Sequence, residues 1–315
     1  MRAICCPVYG APEIMRLQDA TVPEPGPEDV VVRVRAAGVS ISDCVVRSGR
    51  VKPLMWIPFR IFVGLRGPRN PILGMELSGE IEAVGAKVKH WRPGDAIFAF
   101  TGRRFGAYAE YACLREGGRY LPSDCAIARK PANITYAEAA TAPSRAMLAL
   151  HLLEKASIRR GQKILIYGAS SGVGVFAVQL AKHFGAEVTG VAGPAHLELV
   201  RSLGADRVLD YTGTSSAEID GPYDLVFDAV GNSKTSALKT SCAAALARDG
   251  KSLSVDRVAR MPVNRLDSIR RLIEERVIRP VLDRVYPFEE VAQAHRYVEN
   301  RHKGGGVAIE MSASP

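Results

Sequence analysis

The residues with the clearest chemical purpose are Gly168, Ala169, Ser170, Ser171, Gly172, Val173 and Gly174, the run GASSGVG. The run follows an apolar stretch, KILIYGA, and leads into a segment where Val173, Phe176, Ala177, Leu180 and Phe184 recur at helical spacing. Between a buried strand and a helix, a turn of small residues lets backbone N–H groups close on a pyrophosphate. The helix N-terminus then stabilises the negative charge. The end of the next strand is the second test, because NAD-binding turns keep an acidic residue there for the ribose 2′-hydroxyl. Here that strand ends Val191-Ala192-Gly193-Pro194-Ala195-His196, without a carboxylate. Nothing there repels a 2′-phosphate, so NADP(H) is the expected cofactor, with NAD(H) as the alternative and His196 as a candidate neighbour of the phosphate. Ala192, Tyr211 and Val230, at the ends of successive strands, complete the expected cofactor set.

Such a turn needs a parallel sheet to hold it. From Lys163 onward EVTGVA, RVLDY and YDLVFDAVG read as strands, and HLELVRSLGA between the first two reads as a helix. Strand–helix alternation at this pitch predicts a doubly wound parallel sheet. The first 120 or so residues differ: valine-dense runs such as Val30 to Val34 are punctuated by PEPGPED, AAG, AVGA and RPGD turns, which predicts a β-rich domain. RPVLDRVYP and GGVAIEM return to strand character, with a helix from Glu289 to Glu299 between them. The fold class is therefore α/β in two domains, residues 1–129 with 278–315 and residues 130–277.

Composition sets the outer bounds. The chain has 315 residues, 47% hydrophobic and 24% charged, a globular balance that suits two cores. Its net charge of +9 favours anionic ligands, but no RNP, zinc-finger, homeodomain or KH signature is present. Nucleic acid is not expected as the main partner. The apolar stretch from Leu54 to Leu65 contains Pro58 and Arg60 and falls short of the roughly 20 residues that span a bilayer. The opening MRAICCPVYG has no signal-peptide architecture, so no transmembrane segment and a cytoplasmic location are expected. Cys5, Cys6, Cys44, Cys113, Cys125 and Cys242 show no C-x-x-C spacing and read as reduced, mostly buried thiols.

Taken in order, PEPGPEDVVVRVRAAGVSISD, PILGMELSGEIEAVGAKV, RPGDAIFAF, GAYAEYA, the long block around GASSGVG, YDLVFDAVGN and RPVLDRVYPFEEVAQAHRYVE resemble the medium-chain dehydrogenase/reductase superfamily, in its zinc-free, quinone oxidoreductase-like branch. The resemblance covers most of the chain. It implies a GroES-like β-rich catalytic domain and a Rossmann cofactor domain, and commonly a homodimer. Zinc-dependent members of the superfamily carry Cys, His and Cys on the catalytic metal; the matching places here are Ser40, Met75 and Ser144. Two hydroxyls and a thioether are not a zinc set. No metal is expected, and the carbonyl must be polarised by hydrogen bonds, which suits enones and quinones.

The sequence also departs from the zinc-free branch. Ser40 stands where Asn is frequent, Leu148 where Thr is frequent and Arg145 where Ala is frequent. Ala195 and Gly306 replace basic residues, and the cofactor domain is shortened near 256–264. Ser40 is the expected hydrogen-bond donor to the substrate. Asp43 is expected to orient structure through a buried ion pair, with Glu76 a further carboxylate of the same loops. Arg145 either binds a substrate or cofactor oxygen or snorkels to solvent. Tyr9 and Tyr108 read as core aromatics.

The stretch from Val51 to Asn70 carries no acidic residue and is both apolar and basic. It is expected to cap the substrate mouth through Trp56, Phe59 and Phe62, the alternative being a membrane or partner-protein surface. The reading is thus an NADP(H)-dependent, metal-free reductase of quinones or α,β-unsaturated carbonyls. The alternative is a nucleotide-binding sensor or scaffold of the same fold with little turnover.

Overall fold

β-Branched residues dominate Asp29–Val39, and this segment forms the central strand of a seven-stranded sheet. The computed structural model describes residues 1–116, 125–215, 218–231, 236–257, 263–300 and 303–311. The described chain divides into two units: Met1–Pro143 with Val263–Arg271 and Leu282–Pro315, and Ser144–Pro262 with Leu272–Val281.

The elements of the first unit are, in chain order, β1 (Arg2–Cys5), β2 (Arg16–Asp19), β3 (Asp29–Val39), α1 (Ile41–Ser48), α2 (Pro53–Val63), β4 (Glu76–Val84), β5 (Ala96–Phe100), β6 (Tyr111–Arg115), β7 (Ala126–Arg129) and α3 (Tyr136–Ala140). The chain then crosses through α4 (Pro143–Ala156) into β8 (Lys163–Tyr167), α5 (Gly174–His183), β9 (Glu187–Ala192), α6 (Leu197–Ser202), β10 (Arg207–Asp210), β11 (Tyr223–Asp228), α7 (Ala237–Ala244) and β12 (Leu246–Ser254). After α8 (Leu266–Glu274) it returns for β13 (Leu282–Pro287), α9 (Val291–Asn300) and β14 (Gly306–Glu310).

In the first unit the sheet order is β13-β14-β3-β4-β5-β7, with β6 also on β3. β14 runs antiparallel to β3, pairing Val307 with Val39, and parallel to β13. Val30, Val32, Leu77, Ile97 and Phe288 are fully buried in this unit's core. The first crossing lies at Pro143, not at the expected 129/130. The reason is local: the Ser78 hydroxyl donates to the Tyr136 carbonyl at 2.6 Å, and the Tyr136 hydroxyl donates to Glu80 at 2.8 Å. Ala137 and Ala140 close the join against Ala36 and Ala308, so α3 belongs to the β-rich unit.

The second unit holds a five-stranded parallel sheet, in the order β10-β9-β8-β11-β12. Ile164, Leu165 and Ile166 are consecutive and fully buried, as parallel strands covered on both faces require. The chain winds outward from β8 through β9 to β10, then restarts on the other side at β11. The switch point therefore lies between β8 and β11, and ligands of such sheets bind at the carboxyl ends of the strands at that place. Of the stretch expected to be shortened, residues 258–262 lie outside the described residues.

Candidate functional site

The GASSGVG turn follows β8 at the switch point. The Gly168 and Ala169 amides donate to the Val191 carbonyl at 3.0 and 2.9 Å, fastening the turn to the end of β9. The Ser171 amide donates to the Gly168 carbonyl at 2.9 Å. Its hydroxyl accepts from the Gly174 amide at 3.0 Å and donates to the Ala229 carbonyl at 3.3 Å, tying the turn to the end of β11. Among the described residues no protein acceptor meets the amides of Gly172 and Val173. Two donors are thus left at the N-terminus of α5, where the helix dipole favours an anion.

Two glycines in the turn are there because of close approach. A Cβ on Gly174 would stand 2.1 Å from the Gly168 carbonyl oxygen, which is backbone and cannot give way. A Cβ on Gly172 would stand 2.8 Å from Cδ and 2.9 Å from Nε of Arg145. The Arg145 side chain, in the first turn of α4, therefore lies across the glycine-rich turn. It is 6% exposed, which excludes the solvent-snorkelling alternative. Ser170 lies within the turn, buried.

The remaining cofactor candidates fall at the carboxyl ends of their strands. Ala192 ends β9, and its carbonyl accepts from the Tyr211 amide at 3.1 Å. The Tyr211 ring lies 3.2 Å from where a Gly193 Cβ would stand. His196 follows in a short 3-10 turn, half-buried. Asp210, register partner of Ala192, accepts from the Thr212 amide and hydroxyl, each at 2.8 Å. Val230, just past β11, packs on Gly168, and the Val230 and Gly231 amides donate to Asp228. All eleven expected cofactor residues are thus brought to the sheet's carboxyl edge or the turn beside it.

Lys239 was not legible in the sequence. From α7 its ammonium reaches Asp228 at 2.9 Å and stands 5.5 Å from the Tyr167 ring, putting a cation beside the switch point. The Tyr167 hydroxyl is bonded to Ser236 at 2.8 Å, and burial pushes its pKa up. In ALKTSCAA a single lysine reads as a solvated helix residue, and nothing local signals the carboxylate at the end of β11.

In the first unit Ser40 caps α1. Its hydroxyl donates to Asp43 Oδ2 at 2.6 Å and accepts from the Asp43 amide at 3.3 Å; the Ser40 amide also donates to Oδ2, at 2.8 Å. This is a reciprocal capping box, because Ser precedes the helix and Asp occupies its third position. The one proton of Ser40 is directed at Asp43 rather than outward, and these bonds orient the buried carboxylate. Glu76 is fully buried at the start of β4, with Oε2 3.2 Å from where a Gly38 Cβ would stand. Tyr108 is buried, its hydroxyl 3.2 Å from His295 Nε2, and the Tyr9 hydroxyl donates to the Gly64 carbonyl at 2.7 Å. Tyr108 is a core aromatic, as expected, whereas Tyr9 is only half-buried.

The Val51–Asn70 stretch forms α2 and the turns around it. Its three aromatics do not share a face. Phe59 packs inward, its ring centroid 5.7 Å from that of Tyr9, whereas Trp56 and Phe62 are 51% and 61% exposed.

Comparison with known proteins agrees with this geometry. Residues 26–124 match the alcohol dehydrogenase GroES-like domain, and residues 203–309 match the family described as zinc-binding dehydrogenase. The NADPH-dependent alkenal/one oxidoreductase of Arabidopsis thaliana, a chloroplastic protein, is 30% identical over 96% of this chain and 77% of its own length. A quinone oxidoreductase of Pseudomonas aeruginosa is 33% identical over 71% of this chain and 64% of its own. Among solved structures, an NAD-dependent alcohol dehydrogenase superposes with a TM-score of 0.84 at 28% identity, covering 98% of this chain and 99% of the other.

Proposed function

The chain belongs to the medium-chain dehydrogenase/reductase superfamily, in its quinone oxidoreductase-like branch, and from that premise we propose that it is an NADP(H)-preferring, metal-free reductase of quinones and α,β-unsaturated carbonyls. The observation that carries this reading is the turn at the switch point. Two amides with no protein acceptor among the described residues, a helix N-terminus and a buried arginine meet there, which supports a pyrophosphate at this place. The turn closes this tightly because Gly172 makes way for the Arg145 stem and Gly174 for the Gly168 carbonyl. Bound there, NADPH supplies the hydride, and the protein is left to hold it and to manage charge on the substrate oxygen.

Gly172 and Val173 would hold the pyrophosphate through their amides, with Arg145 adding a positive charge. Ala192, Gly193 and Tyr211 would line the adenosine side, and His196 would serve the 2′-phosphate. The absence of a carboxylate after Val191 supports NADP(H) over NAD(H). Asp210, on the neighbouring strand, turns its Oδ1 to the Thr212 amide and hydroxyl. Ser40, backed by Asp43, offers a polar oxygen to the substrate. It donates to the nascent enolate or quinol oxygen only by exchanging its bond to Asp43 for one to the substrate. The donor set Ser40, Met75 and Ser144 supports metal-free chemistry despite the name of the matched family, because neither hydroxyls nor a thioether hold zinc at neutral pH. The kinship with reductases also favours turnover over a silent sensor.

The test pairs NADPH binding by titration with NADPH oxidation against 1,4-benzoquinone, 9,10-phenanthrenequinone and a panel of enals and enones. Turnover with at least one class is expected. Binding without turnover across the panel would refute the reductase and leave the sensor. The same reading carries a cytoplasmic location and a homodimer, checked by cell fractionation and light scattering.

A further inference from the structure

Seven of the twelve exposed large apolar side chains among the described residues lie between Leu54 and Leu65. They are not the product of a loose helix. Phe59 and Val63 hold α2 to the core, and the Arg60 guanidinium lies 4.2 Å over the Tyr9 ring and donates to the Leu65 carbonyl at 2.9 Å. Arg69 donates to the Ile61 carbonyl at 2.8 Å. The opposite face is left outward: Leu54 is 89% exposed, Ile57 63%, Ile61 55% and Leu65 75%. Single exposed leucines are ordinary, but a continuous patch on a fastened helix marks an interaction surface.

Charge says what kind of surface. No Asp or Glu occurs between Cys44 and Met75, and Arg50, Lys52, Arg66 and Arg69 are exposed around the patch. Among the described residues none of these four cations has a carboxylate partner. Eleven residues, with proline at 53 and 58, cannot cross a bilayer, and no described helix is long and apolar enough to do so. An apolar face rimmed by unpaired cations is the arrangement that seats a helix among acidic headgroups, apolar side down and cations at the phosphates.

We propose that α2 and its basic rim dock this protein onto the surface of an anionic phospholipid bilayer. In that position the substrates are quinones with long apolar tails, taken from the lipid phase; this second statement rests on the reductase reading, and the docking itself does not.

The experiment uses the full chain and vesicles of equal parts phosphatidylglycerol and phosphatidylcholine, with pure phosphatidylcholine as control. Wild-type protein is expected to sediment with the anionic vesicles and to be released by salt. The variant Leu54→Asp/Ile57→Asp/Ile61→Asp, altered only at outward positions, is expected to bind at least tenfold more weakly while reducing 1,4-benzoquinone as well as wild type. A second readout keeps the native face: Trp91→Phe leaves Trp56 as the only indole, and its emission should shift to the blue on anionic vesicles. Equal sedimentation with both vesicle types, an unshifted indole, or undiminished binding by the triple variant would each overturn the docking. So would a rise in KM for soluble quinones in the triple variant with vesicle binding intact, which makes α2 a substrate lid. An oligomer of wild type that dissolves in the variant, without vesicle binding, would assign the face to a second copy. Failure of turnover with quinones, enals and enones alike, with vesicle binding intact, would refute the reductase and leave the docking standing.

Discussion

Arg145 and Gly172 are a matched pair at the level of single residues. The arginine stem fills the space that a Cβ at 172 would need, so each explains the other. Arg145→Ala is expected to weaken NADPH binding about tenfold, or about 1.4 kcal/mol. Gly172→Ala should do the same by pushing the guanidinium aside. The double variant should then lose much less than the two losses combined, because residues in contact do not act independently. Strict additivity in titrations of the three variants would separate Arg145 from the phosphates. Gly174→Ala allows no such rescue, since it collides with backbone.

His295 gives a second test at this scale. Burial, helped by the nearby Arg47, pulls its pKa down from 6.5 to about 3. The folded state therefore holds the imidazole neutral while the unfolded chain protonates it. The stability this provides is complete above about pH 6.5 and drains away as pH falls toward 3. Over the upper part of that window the carboxylates are still ionised, so His295→Gln should flatten the fall in Tm between neutral pH and about 4.5, near the ordinary carboxylate range. Parallel Tm curves for wild type and variant would contradict it.

At the scale of elements, α1 joins a structural and a chemical role in one serine. As N-cap, Ser40→Ala should cost about 1 kcal/mol of stability, whereas Ser40→Gly should cost only a few tenths. If the hydroxyl also serves the substrate, both variants should lose kcat/KM equally despite their different Tm. A loss of kcat/KM that tracks Tm would reduce Ser40 to a cap. The strands and helices from β8 to β11 were legible because they carry local patterns: KILIY is apolar after Lys163, and the helix after it repeats apolar residues at helical spacing up to Gly185, whereas β12, LARDGKSLS, has no such run. The role of α3 was not. YAEAA carries no sign that Ser78 and Glu80, far upstream, would bind Tyr136 and move the unit's border. The direction of Phe59 was hidden for the same reason, since Tyr9 decides it. Ser40 was found as a polar group at the right loop, but its proton was not visible to be assigned to Asp43.

Over the whole molecule, the net charge of +9 and the missing carboxylate after Val191 act on the same ligand. NADPH should bind more tightly than NADH, by roughly tenfold or about 1.4 kcal/mol, and the margin should narrow as salt screens the 2′-phosphate. Equal affinities at low salt would count against it. Elemental analysis after chelator-free purification should find no stoichiometric zinc, and one zinc per chain would overturn the donor-set argument.

The place of β14 in its sheet has a consequence for how the protein is made. β3 emerges from the ribosome early, yet Val39 meets its partner only when Val307 has been synthesised, and β13 has no neighbour in the sheet until β14 arrives. The whole second unit is translated in between, and its parallel strands need nothing from the last residues. During synthesis that unit can complete its sheet while the Ala36–Val39 end of β3, beyond the part that β6 covers, waits with one hydrogen-bonding edge open, a state prone to pairing with the wrong chain. Nascent chains stalled just before Gly306 should therefore protect β8–β12 from proteases and leave Ala36–Val39 open to cleavage, with protection of that end of β3 gained only after β14 has cleared the exit tunnel.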